Sequence, residues 1–142
     1  MNRHAGRLAG ALIVIALAGC TTSNLTPAAR LEGTAWRAEN IDGKPALDVQ
    51  HQSTLRFFDR QLAGGSLGCN AYSTTYFADA AGLRFGGIAP TNNTCPPAVM
   101  EQEARFTVAL EATRKVRHDA DGALLLLDVD GKIRAKLTPL MP

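Results

Sequence analysis

Gly64-Gly65-Ser66-Leu67-Gly68-Cys69-Asn70-Ala71-Tyr72-Ser73-Thr74-Thr75-Tyr76 is the stretch against which the rest of this 142-residue chain is read. Its glycines let backbone approach backbone, Cys69 offers a covalent link, and the Thr and Tyr residues that follow favour an extended strand. If the stretch alternates, Leu67, Cys69 and Ala71 share one face and Asn70 and Tyr72 the other, so Asn70 points away from an inward Cys69. Gly64, Ser66 and Gly68 also match the Gly-x-Ser-x-Gly spacing of a nucleophile elbow, with His118 downstream. An elbow needs a helix after the serine and an α/β sheet around it, whereas Tyr72 to Phe77 continues as strand. Ser66 is therefore read as a scaffold residue. No catalytic residue is assigned, because the chain shows no paired acid and base, no nucleophile in context and no metal cluster.

On the upstream side, Leu31-Glu32-Gly33-Thr34-Ala35-Trp36 opens a first strand with Trp36 as its core anchor, and Asp42-Gly43 marks a tight reversal. Leu55 and Phe57 alternate with Thr54 and Arg56, the pattern of a half-buried strand. Downstream, Leu83-Arg84-Phe85 forms another strand, and Thr91 to Pro97 is a loop that delivers Cys95. Pro96 and Pro97 suit the first turn of a helix. Val99, Phe106 and Leu110 then recur at helical spacing as far as about Thr113, and Glu103 falls on the same stripe. A carboxylate there either reaches water from the edge of the stripe, the commoner case, or accepts hydrogen bonds from amides or from Asn70 as a lock. From Val116 to Leu137 the chain reads as strand, turn, strand, turn, strand. Its two Asp-x-Asp-Gly segments suit hairpin turns rather than calcium loops, since Ala123 and Leu124 stand where an oxygen ligand and a glycine are needed. His118 has no second His or Cys at metal spacing, so neither a metal nor any other cofactor is expected.

The first twenty residues place the protein. Arg3 and Arg7 precede an apolar run from Leu8 to Ala18, too short to span a bilayer, which closes in Leu17-Ala18-Gly19-Cys20. This ending resembles the lipobox of bacterial lipoproteins, in which the cysteine is lipidated and becomes the first mature residue. Thr21 resembles the residue that follows in lipoproteins passed to the outer membrane, and the chain is expected to be anchored there through Cys20, facing the periplasm. Residues 1–19 are read as the signal peptide, 20–30 as lipidated cysteine and polar tether, and 31–142 as one domain. Removing Arg3 and Arg7 from 15 Lys and Arg leaves 13, against 13 Asp and Glu. A neutral mature domain without a basic cluster is not a nucleic-acid binder. Cys69 and Cys95 remain as an even pair in an oxidising compartment, expected as a disulfide rather than two buried thiols.

With these residues in hand, the chain resembles the META domain family, which includes the HslJ-like heat-shock lipoproteins. The resemblance is carried by Leu31, Gly33, Thr34 and Trp36, by Leu55 and Phe57, and by Gly68-Cys69-Asn70 with Tyr72 and Tyr76. It continues through Pro90, Thr91 and Cys95-Pro96 to Glu103, Phe106 and Leu110. It implies a mainly β (α+β) fold, a strongly curved antiparallel sheet or partly open β-barrel with one helix against it. The residues themselves give seven or eight short strands and one helix. The family is associated with heat shock, envelope stress and drug tolerance, and offers no catalytic residues to carry over. The expected function is non-enzymatic, binding an envelope protein partner or a small apolar ligand as part of the stress response. The alternative is a pilot or assembly factor for an outer-membrane protein complex.

Overall fold

The computed structural model describes residues 31–141; the expected signal peptide, Cys20 and the expected tether lie outside the described residues. Period-two burial writes the sheet. In β1 (Ala35–Ile41), Trp36 and Ala38 face inward, and a bulge between Ala38 and Asn40 shifts the phase so that Ile41 is buried too. β2 (Lys44–Pro45) is a short return strand, followed by a single 3-10 turn at Val49–His51. β3 (Thr54–Phe57) buries Leu55 and Phe57. β4 (Leu62–Ser66) pairs with β5 (Ala71–Asp79), where Tyr72, Thr74 and Tyr76 point inward. β6 (Gly82–Phe85), the short β7 (Ala89–Pro90), β8 (Lys115–His118), β9 (Leu124–Leu127) and β10 (Ile133–Pro139) complete the set.

The strands form one antiparallel order, β6-β5-β4-β3-β1-β10-β9-β8, with β2 added to β1 and β7 to β5. The two ends of that order approach each other, and the Leu83 N–H donates to the Arg114 carbonyl at 3.0 Å. Gly82 makes this possible: a Cβ on it would stand 2.0 Å from the Arg114 oxygen. The result is a nearly closed, barrel-like sheet of eight strands with one helix packed against it, the architecture that the family resemblance implies, with the number of strands read from the residues.

The helix, α1 (Pro97–Ala112), starts with Pro97 at its first position and buries Val99, Phe106, Ala109 and Leu110. Phe106 and Leu110 join Leu55, Phe57, Tyr76, Leu83, Leu124, Leu126 and Leu137 in one apolar core. Phe57 meets Tyr76 edge-on, with ring centroids 5.0 Å apart. Trp36 belongs to that core, as expected of an anchor, and its indole N–H donates to Thr34 Oγ1 at 2.7 Å.

The opening stretch departs from simple alternation. Leu67 to Asn70 is a turn between β4 and β5, in which the Leu67 N–H donates to the Asn70 carbonyl at 2.8 Å. Leu67 and Asn70 are therefore both buried while Cys69 is half-buried and Ala71 exposed, so Leu67 does not share a face with Cys69 and Ala71 as simple alternation expects. Gly68, with φ of 129°, bends the chain there, and a side chain would be strained at that angle whatever the space around it. Gly65 serves close approach instead: a Cβ on it would stand 2.4 Å from the Thr54 carbonyl oxygen. Tyr72, its register partner on β5, sends its hydroxyl across β4 to donate to that same oxygen at 3.0 Å.

Candidate functional site

The turn that bends at Gly68 sets Asn70 against the first half of α1. Glu103 is buried, and among the described residues its two oxygens accept from Asn70: Oε2 from the backbone N–H and Oε1 from Nδ2, each at 2.8 Å. Asn70 Nδ2 also donates to the Asn93 carbonyl at 3.1 Å. Its Oδ1 accepts from Thr91 Oγ1 at 2.8 Å and from the Asn93 N–H at 2.6 Å. One amide thereby ties the β4–β5 turn, the loop before α1 and the helix together. A buried carboxylate is tolerable here because both its oxygens receive hydrogen bonds. Of the two readings open for Glu103 from the sequence, the structure has the lock.

Cys69 and Cys95 form a disulfide with 26 residues of separation, joining the same turn to the residue before Pro96, at the start of the helix. Covalent link and hydrogen-bond lock lie side by side, since Asn70 follows Cys69 directly. The neighbouring helical residue, Gln102, adds a second buried clasp that periodicity alone does not reveal. Gln102 Nε2 donates to the His51 carbonyl at 2.8 Å and to Ser53 Oγ at 3.1 Å, and its Oε1 accepts the Leu47 N–H at 2.6 Å. The roles of Asn93 and Thr91 are equally hidden in the sequence, because their partner is fixed only once the loop folds back onto Asn70.

Ser66 ends β4. Its Oγ accepts the Gly68 N–H at 3.0 Å and its own N–H donates to Thr54 Oγ1 at 3.0 Å. The chain runs on from Ser66 into the turn and β5 rather than into a helix, and the His118 ring packs 5.6 Å from that of Trp36. The two Asp-x-Asp-Gly segments close hairpins. Asp119 Oδ1 accepts from the N–H groups of Asp121 and Ala123, and Asp128 Oδ1 from those of Asp130 and Lys132. Burial pushes the Tyr72 phenol far above its ordinary range, so it stays a neutral donor.

Concave surface lies outside this joint. At the end of the barrel where β1 begins, a hollow of about 460 Å³ runs past Gly33, Trp36, Arg56, Leu140 and Met141. At the seam, a hollow of about 230 Å³ is lined by Phe77, Gly82, Arg84, Arg114, Lys115 and Val129. Phe77 and Val129 are exposed there, and Arg84 lies 6.0 Å over the Phe77 ring. Asp79 also borders it, but its Oδ1 is taken by the N–H groups of Ala81 and Gly82. Among the described residues, none of the three seam cations forms an ion pair.

The family model of the META domain matches residues 29–138. An NMR structure of a protein from Burkholderia xenovorans is similar over 100% of both chains, at 20% identity with a TM-score of 0.64. A second NMR structure covers 81% of this chain and 94% of its own, at 21% identity with a TM-score of 0.62. At these identities the two structures speak for the fold alone. No curated protein matches the chain.

Proposed function

The chain belongs to the META domain family, and we propose that it serves the cell-envelope stress response as a non-enzymatic lipoprotein, anchored through Cys20 in the outer membrane and facing the periplasm, that acts by binding a protein partner. The anchoring rests on the positive, apolar and small residues ahead of Cys20 and on Thr21 after it. The observation that carries the binding mode is where side chains and hollows fall. Core residues from both sheet and helix fill the interior, including Phe57, Tyr76, Phe106, Leu110 and Leu126, while the hollows at the seam and at the start of β1 open on the surface. That favours a partner docking on the outside over a small apolar ligand held in the mouth of the sheet.

The seam is the surface best suited to the partner. It offers Phe77 and Val129 as apolar contacts within a ring of Arg84, Arg114 and Lys115, which suits an acidic segment with apolar anchors. The pilot or assembly-factor reading draws on the same place, where the exposed Phe77 and Val129 could hold an apolar segment of a client chain.

A photo-crosslinking residue at Val129 tests the proposal in the intact envelope. A discrete protein adduct is expected there, lost when Arg84 and Arg114 are both changed to Glu and absent when the probe sits at the exposed Ala104 on α1. Equal capture at both positions, or none at Val129, would contradict it. An adduct confined to a precursor of an outer-membrane protein would select the assembly-factor reading.

A further inference from the structure

We propose that the pole of the barrel at which the chain enters the domain rests on the lipid leaflet that carries the anchor, with Phe58, Leu62 and Met141 in the interfacial zone. The inference rests on the lipid anchoring proposed above. The Gly33 N–H donates to the Phe57 carbonyl and the Leu140 N–H to the Ala35 carbonyl, each at 2.8 Å. The first residues of the domain therefore lie between the end of β3 and the end of β10. Those ends carry Phe58, Leu62 and Met141, three of the eight large apolar side chains that are exposed among the described residues. Phe58 and Leu62 stand opposite each other in the β3–β4 hairpin, with the Phe58 N–H donating to the Leu62 carbonyl at 2.7 Å. They occupy the outer face, away from the buried Phe57 and Ala63.

Between this pair and Met141 run two adjoining hollows, of about 260 and 460 Å³, that share Gly33, Thr34, Ala35 and Arg56. Arg56 is set into this mostly apolar surface, and Asp59 at its rim lies 3.8 Å from Arg60. The arrangement suits an interfacial site: apolar groups enter the headgroup boundary while the Arg56 guanidinium reaches phosphate from an apolar stem. The hairpin tip points the same way. Arg60 (φ 53°) and Gln61 (φ 62°) hold left-handed backbone at the two positions where Asn-Gly would be free of strain. Strain of that kind persists where the side chains serve a purpose, and the Arg60 side chain is 87% exposed.

The tether selects the leaflet as occupant. Residues 20–30 reach at most about 40 Å when fully extended. They join the domain at this pole, whereas the far end of β1 lies roughly 20 Å away along the strand. An apolar tip beside the point of attachment is thereby presented to the membrane at high effective concentration.

The test uses the full lipidated chain reconstituted in phosphatidylethanolamine and phosphatidylglycerol vesicles with brominated acyl chains, taking wild-type Trp36 emission as baseline. Phe58→Trp should be quenched severalfold more than Ile133→Trp, an exposed position at the start of β10 beside the far end of β1. Adding Leu62→Asp and Met141→Asp to Phe58→Trp should abolish that difference, and because these side chains are exposed the domain stays folded. Equal quenching at the two positions, or none at either, overturns the proposal. The intact mass separates this from the anchoring itself. A chain with lipid on Cys20 but no quenching of Phe58→Trp sinks the docking alone, while quenching without lipid supports the docking and contradicts the anchor.

Discussion

Asn70 has a partner for its backbone N–H and for every polar atom of its side chain, and both oxygens of Glu103 are among those partners. Glu103→Gln keeps the shape but replaces one acceptor with an NH2 group that must face an Asn70 N–H. The expected cost is about 1–3 kcal/mol, the penalty for a buried donor left unmade, read as a lower urea midpoint with an unchanged slope. A loss below about 0.5 kcal/mol would return Glu103 to the edge of the stripe. Helical spacing puts Glu103 on the buried face but cannot give its depth, so lock and edge are both legible. Gln102 is not legible, because its partners are backbone groups at Leu47 and His51 that are near only after folding.

At the scale of elements, alternation reveals β1, β3, β5, β6 and β10, and the proline pair with the apolar stripe reveals α1. The Asp59–Leu62 hairpin is not legible, since Arg60-Gln61 is not a turn dipeptide. Replacing these two residues by Asn-Gly should relieve strain worth about 1 kcal/mol and raise Tm by roughly 4 °C, against no change if the positive φ angles are costless. The Asp119 and Asp128 turns make a second expectation. The N–H bond from Ala123 leads in holding the Asp119 carboxyl below its ordinary value, with help from Asp121 and Lys136. Partial burial pushes Asp128 up, but N–H bonds from Lys132 and Asp130 and the charge of Arg134 outweigh it. Both native values are depressed, so the unfolded chain binds more protons, and the stabilisation present above about pH 4 is lost as pH falls through the native values. Unfolding free energy should drop in that window, with a shallower slope when both are changed to Asn. An unchanged slope would remove the two turns from the acid response.

For the whole molecule, the class of fold stands in the sequence, but the closure does not. Nothing in Gly82 or Arg114 alone says that β6 and β8 meet, because a barrel's seam joins residues that are linked by neither periodicity nor turn chemistry. The domain is small enough that one covalent staple weighs heavily in its stability. The Cys69–Cys95 link closes a loop across a separation of 26 residues and fastens the glycine turn to the start of the helix. Its loss should cost about 3.5 kcal/mol by the chain-entropy relation. The stretch from Gly64 to Tyr76 thus carries the joint that holds the domain together. Equilibrium urea unfolding of the Cys69→Ser, Cys95→Ser double variant beside the oxidised protein tests this most directly. A midpoint lowered by the equivalent of about 3.5 kcal/mol is the expected result, and coincident unfolding curves would contradict it.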